Sequence, residues 1–246
     1  ARLDHHIGRL LHGLERLGLR QNTLIVCTTD HGPAFPGCKC TLTDRGLGVM
    51  LILCGPVGST LEPGRVVDAP VSHLDVYPTL CEWLEIPAPP GLEGRCLLPL
   101  LRGQVQPLHA ELFGSVTYHA AYEPMRSVRT ERYKYIRRFG ERRLPVRPNC
   151  DDGWSKDAWL AAGGAAIPQP EHALFDLHLD PQEQHNLALD RAHAPVLAQL
   201  QSRLYAWMER TDDPLRHGPI APPPGARYNP PDGLSPYEMP LVYAGA

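Results

Sequence analysis

A carboxylate and an imidazole follow directly on an apolar segment of the chain. Residues 23–29 (TLIVCTT) are predicted to form a buried parallel strand, and Asp30, His31 and Gly32 come next. Ligands of open α/β sheets bind at the carboxyl ends of strands, so we expect these side chains to face a crevice. Asp30 offers a hard oxygen suited to calcium or magnesium, and His31 could bind metal, transfer a proton or donate to an anion. The same residues also suit an ordinary turn.

Lys39 lies nine residues after Asp30, within a loop of sequence PGCKCT. A lone lysine in such a loop is usually solvated, but the residues that flank this one are of types that pack. The pattern therefore favours a lysine that points into the crevice as a donor to an anion. Together with a dication and His31, it would bind a dianionic group such as sulfate or phosphate.

The elements that must position these residues can be read from hydrophobic periodicity. A helix is predicted from Leu3 to Leu17, a second apolar run follows at 49–53, and Ser72 caps a helix that ends before Pro87. Helix, strand, strand and helix at short spacing predict an α/β layer. We place this domain at residues 1–108.

The pattern changes after Pro87. Short apolar runs separated by turn residues predict an antiparallel sheet, followed by an amphipathic helix, in a small α+β subdomain at 109–211. The runs are 112–116, 125–129 and 133–137, and the helix extends from 195 to about 210. Residues 149–170 are interpreted as a long insertion. The proline-rich tail, 212–246, is expected to cross the surface without regular structure.

Bulk composition excludes some classes of function. The 246 residues carry a net charge of −3, so no nucleic-acid partner is suggested. No apolar run is long enough for a transmembrane segment. Seven cysteines without paired CxxC spacing are interpreted as small packing residues. The first residue, Ala1, falls within a helical pattern, so we expect a fragment, and the compartment and oligomeric state stay open.

Two long motifs resemble the sulfatase family of the alkaline-phosphatase-like superfamily. The first motif is TLIVCTTDHG at 23–32, followed by Lys39 and Gly46. The second is ALFDL at 173–177, followed by DP at 180–181, Glu183 and NLA at 186–188. The sequences FPG at 35–37 and PMRSV at 124–128 are most similar to the heparan N-sulfatase (sulfamidase) branch. The resemblance runs from about Leu3 to about Pro214, and it implies the C-terminal part of that fold.

The resemblance implies roles for five residues. Asp30 and His31 would be ligands of calcium, with magnesium possible, and Lys39 would contact the sulfate. His31 and Lys39 would then be catalytic, and Lys39, His119 and Arg126 would bind the substrate. His119 could instead be an ordinary histidine, and Arg126 could form an ion pair within the small sheet.

The family's nucleophile is not found in these residues. Sulfatases use a formylglycine made from Cys or Ser in a Cys/Ser-x-Pro-x-Arg motif, and the nearest segment, CGPVG at 54–58, lacks the arginine. The paired N-terminal aspartates of the metal site are also missing. The resemblance thus implies a hydrolase of sulfate esters or N-sulfates on a sugar or oligosaccharide, seen as an inactive fragment. A phosphodiesterase or phosphonate hydrolase of the same superfamily, or a non-catalytic sugar-binding pseudoenzyme, stays open.

Overall fold

The structure is a computed structural model that describes residues 2–56, 58–59, 61, 64–104 and 107–245. It divides into two compact units. The first unit comprises Ala1–Thr29 and Val49–Ala110, and the second comprises Asp30–Gly48 and Glu111–Ala246. The loop with Asp30, His31 and Lys39 therefore belongs to the second unit.

The regular elements, in chain order, are six α-helices and eight strands among the described residues. The helices are α1 (Arg2–Arg16), α2 (Asp44–Leu47), α3 (Val76–Trp83), α4 (Leu98–Leu101), α5 (Trp154–Ala161) and α6 (Ala194–Arg210). The strands are β1 (Ile25–Thr28), β2 (Leu51–Cys54), β3 (Leu112–Tyr118), β4 (Tyr122–Arg129), β5 (Tyr133–Arg138), β6 (His172–Asp176), β7 (Arg227–Tyr228) and β8 (Leu241–Val242). No described helix is long and apolar enough to cross a membrane.

Strands β1 and β2 of the first unit pair antiparallel, with Ile25 opposite Cys54 and Thr28 opposite Leu51. The prediction of a parallel strand at 23–29 was therefore wrong about this pairing. A continuous apolar run does not fix strand direction, and a parallel pair needs a long crossover connection, usually a helix. The segment between β1 and β2 contains only the single turn of α2.

The start of α3 follows the sequence signal at Ser72. The Ser72 hydroxyl accepts a hydrogen bond from Leu74 N, and the Asp75 carboxylate accepts one from Ser72 N, which completes a capping box. Asp75 is fully buried and also binds Arg95 N and His109 Nε2, at 2.8 and 2.9 Å. This carboxylate therefore ties the helix start to two later segments of the first unit.

The second unit is built on a four-stranded antiparallel sheet in the order β3-β4-β5-β6. Helix α6 packs on it, and the shared core contains fully buried side chains from both elements. These include Val128, Tyr135 and Leu174 from the sheet and Leu204 and Met208 from the helix. The predicted antiparallel sheet and closing helix are thus present.

The tail departs from the sequence expectation of a segment without regular structure. Strands β7 and β8 pair antiparallel, and Asn229 N donates to Ala120 O at 2.6 Å. Asp213 and Leu215, at the start of the tail, are buried. Proline removes a donor only at its own position, so the residues between the prolines still pair.

All seven cysteines are free thiols, two of them buried.

Candidate anion and cation site

The turn that carries Asp30 and His31 is fixed against α2. Gly32 N donates to Gly46 O at 2.9 Å, and a Cβ on Gly32 would overlap the backbone oxygen of Arg45. Only glycine permits this close approach of two backbones. The Asp-His-Gly sequence is therefore more than a solvent-exposed turn, because its last residue is part of a packed contact.

The rest of the loop is held by a buried core residue and a charge network. Leu42 is almost fully buried against the sheet. The Asp44 carboxylate pairs with Arg129 and with the buried ammonium of Lys134, and Asp44 N donates to Glu183 Oε2 at 2.5 Å. These contacts fix the position of the loop on the sheet, so Lys39 and His31 extend from a supported segment.

Lys39 binds a residue that the sequence did not single out. Its Nζ donates to both carboxylate oxygens of Asp151, at 3.0 and 2.8 Å, and its side chain is only 14% exposed. The hydrogen bond with Asp151 raises the pKa of Lys39, and the same contact lowers the pKa of Asp151. Asp151 lies 112 residues along the chain in the predicted insertion, where no motif marks it.

His119 belongs to the same cluster. It follows β3 directly, and burial together with the positive charge of Lys39 lowers its pKa. Asp151 and His31 also act on His119 electrostatically, in opposite directions. The structure thus groups Lys39, His119 and His31 around the Asp151 carboxylate, and the lowered pKa of His119 favours its neutral imidazole.

Asp30 and His31 present two donor atoms to one side of the turn. His31 Nδ1 lies 2.5 Å from Gly32 O, a contact that assigns the ring proton to Nδ1 and leaves the Nε2 lone pair free. Nε2 is 3.7 Å from Asp30 Oδ2, so both atoms can touch one ion, and the backbone bond at Nδ1 is a common support for metal-binding histidines. The pair fits part of a divalent-cation site. Among the described residues no group of three or more His, Cys, Asp or Glu could complete it.

Arg126 does not join this cluster. It is buried in a bidentate ion pair with Asp213, at 2.5 and 3.1 Å, and its guanidinium also donates to Val116 O, Met125 O and Thr117 Oγ1. An ion pair within the small sheet was the alternative left open for Arg126, and the observed partner instead lies at the start of the tail. Because its donors are satisfied within the fold, we leave Arg126 out of the proposed site.

A cavity of about 460 Å³ opens beside Lys39. It is lined by Cys40, Cys150, Trp159 and Arg147, among other residues of the second unit. A volume of this order is typical of sites for small ligands. The cluster therefore has space next to it for a group larger than a single anion.

Known proteins match this chain along most of its length. The family model described as Sulfatase matches residues 1–86. Human N-sulphoglucosamine sulphohydrolase is 30% identical over 243 residues, which cover 87% of this chain and 47% of that protein. The chain belongs to the sulfatase family. This sulfatase chain spans about half the length of the curated relatives it matches.

Solved structures show the same alkaline-phosphatase-like sulfatase fold. A 2-O GAG sulfatase superposes with a TM-score of 0.68 and 24% identity, covering 90% of this sulfatase chain and 44% of its own. The phosphonate monoester hydrolase of Silicibacter pomeroyi gives a TM-score of 0.60 and 25% identity, with 86% and 40% covered. The fold therefore occurs in enzymes that act on sulfur and on phosphorus.

Proposed function

We propose that the whole protein hydrolyses a sulfate ester or an N-sulfate on a sugar. The observation that carries this proposal is the grouping of Lys39, His119 and His31 around the Asp151 carboxylate, with Asp30 Oδ2 3.7 Å from His31 Nε2. In a member of the sulfatase family, a cationic donor and a neutral imidazole next to a cation-binding pair suit a sulfuryl group.

Each residue has a distinct part in the proposed reaction. Lys39 donates to a sulfuryl oxygen and offsets the charge that develops there. Asp30 and His31 would hold a divalent cation, calcium or magnesium, which would polarise sulfuryl oxygens when bound. His119, kept neutral by its surroundings, is placed to exchange a proton near the leaving group.

The nucleophile of this reaction would lie outside the 246 residues, since they contain no Cys/Ser-x-Pro-x-Arg segment. Family members use a formylglycine at that position, and we propose the same for the whole protein. By this account the 246-residue chain alone binds an anion but turns over no substrate.

A phosphonate monoester hydrolase is the second candidate function. The match to the Silicibacter pomeroyi enzyme supports it, and a phosphonate monoester carries one negative charge, as a sulfate ester does. Relatives named for glucosamine and GAG substrates favour the sulfated sugar.

The test is to express the complete reading frame and to measure its turnover. Release of sulfate from N-sulfoglucosamine and from a 2-O-sulfated disaccharide is compared with cleavage of phenyl phosphonate monoester. We expect a sulfated sugar to give the highest kcat/KM. Faster cleavage of the phosphonate monoester would favour the phosphonate hydrolase instead. No turnover of any of the three substrates would contradict both candidate functions.

A further inference from the structure

Asp151 places a negative charge beside the lysine that is proposed to bind the anion. The Lys39 ammonium donates to both oxygens of the Asp151 carboxylate, and among the described residues no other acceptor binds it. The N–H groups that point away from Asp151 are left for a ligand. An anion bound there would lie next to Asp151 as well as next to Lys39.

The Asp151 backbone is held in place by contacts of its two neighbours in the chain. Lys156 is buried, and its ammonium donates to Cys150 O at 2.9 Å and to Asp152 Oδ1 at 2.7 Å. The other Asp152 oxygen accepts from Ser235 Oγ. Both neighbours of Asp151 are therefore fixed, so an incoming anion meets a stationary carboxylate. The Asp151 side chain is 46% exposed and faces solvent as well as Lys39.

A fixed carboxylate discriminates between ligands by their charge. A sulfate ester carries one negative charge, whereas a phosphate monoester carries nearly two above its second pKa of about 6. The repulsion between Asp151 and a bound ligand increases with the negative charge of the ligand. Asp151 also neutralises part of the positive charge of Lys39, which weakens the attraction between Lys39 and the ligand. We infer that Asp151 is a specificity-determining residue that makes this site select monoanionic sulfuryl esters over dianionic phosphate monoesters. The inference rests on the proposed function, because it assumes that Lys39 binds the substrate's anion.

The test uses the 246-residue chain and two small probes, methyl sulfate and methyl phosphate, at about pH 8, where the second probe is a dianion. Binding is followed by the NMR shift of the His119 ring, assigned with His119→Gln. The parent is compared with Asp151→Asn, which keeps the shape and removes the charge. Asp157→Asn removes the same charge from an exposed position in the first turn of α5, six residues along the chain, and is the matched control. Thermal melts accompany each variant, and Asp151→Ser serves as a second neutral variant.

We expect the affinity ratio of methyl phosphate to methyl sulfate to rise about tenfold in Asp151→Asn and Asp151→Ser, equivalent to about 1.4 kcal/mol. In Asp157→Asn the ratio should stay near the parent value. An unchanged ratio in the Asp151 variants, or an equal gain for both probes, would overturn the inference and leave the anion site intact. If neither probe shifts His119 in any variant, the anion site itself is refuted, and the proposed function and this inference fail together.

Discussion

At the residue scale, the site is a balance of charges around Lys39. Asp151 compensates the ammonium, and burial together with the Lys39 charge lowers the pKa of the neighbouring His119. The sequence predicted the proximity of Lys39 to the Asp-His-Gly turn because one short loop holds both. It could not predict Asp151, since a contact over 112 residues depends on how the insertion folds back.

Replacing Lys39 with methionine should raise the pKa of His119. Burial is the largest cause of the lowered His119 pKa, and the positive charge of Lys39 lowers it further. The negative charge of Asp151 opposes both effects. Without the lysine, the unpaired Asp151 carboxylate stabilises the imidazolium, so protonation begins at higher pH. An NMR titration of the His119 ring measures the shift. Arg45→Gln, which removes a cation from the same loop, should leave it unchanged, and an equal shift in both variants would contradict the cluster.

The Arg126–Asp213 pair should contribute to stability. Both side chains are about 5% exposed, so Asp213→Asn leaves a buried guanidinium without its counter-ion and should lower the free energy of unfolding by about 3–5 kcal/mol. The pair Arg142–Asp232, whose carboxylate is 87% exposed, is the control, and Asp232→Asn should cost about 0–1 kcal/mol. Urea denaturation measures both. Small losses in both variants would contradict a structural role for Arg126 and would return it to the list of substrate contacts.

At the element scale, the loop from Asp30 to Gly48 is positioned by its packing on the sheet of the second unit. The predicted antiparallel sheet, the cap at Ser72 and helix α6 follow from periodicity and capping residues, which act locally. The pairing of β1 with β2 did not follow, because an apolar run of this length is compatible with either strand direction. The assignment of the loop to the second unit depends on Leu42, Asp44 and Lys134, whose partners are far along the chain.

Substitution of Gly32 by alanine should disturb the site through the backbone. The added methyl group would overlap the Arg45 carbonyl, so the turn must move away from α2, and we expect a loss of about 1–3 kcal/mol in stability. Gly13→Ala is the matched control. Gly13 lies within α1 with open space around it, where alanine should stabilise the helix by up to about 1 kcal/mol. Thermal melts distinguish the two, and a neutral result for Gly32→Ala would show that the turn is free to move.

At the scale of the whole molecule, the family motifs predicted more than the local patterns did. Two separated motifs identified the sulfatase family, and the matches cover most of this chain but less than half of each relative. Asp30 and His31 together supply two donor atoms for a bound cation, whereas calcium takes 6–8 oxygens. Residues other than this pair must therefore supply the remaining ligands. No motif in the sequence predicts the substrate sugar.

Lys39 is proposed to bind the sulfuryl group, and the decisive measurement is turnover of a sulfated sugar by Lys39 variants of the complete protein. Loss of one preorganised charged donor typically lowers the rate by about 10²–10³, or about 2.7–4 kcal/mol. Lys39→Ala should show a loss of this order, Lys39→Glu a greater one through repulsion, and Lys39→Arg should retain the most activity, with thermal melts checking that each variant is folded. Activity of Lys39→Glu equal to that of the parent would contradict the account.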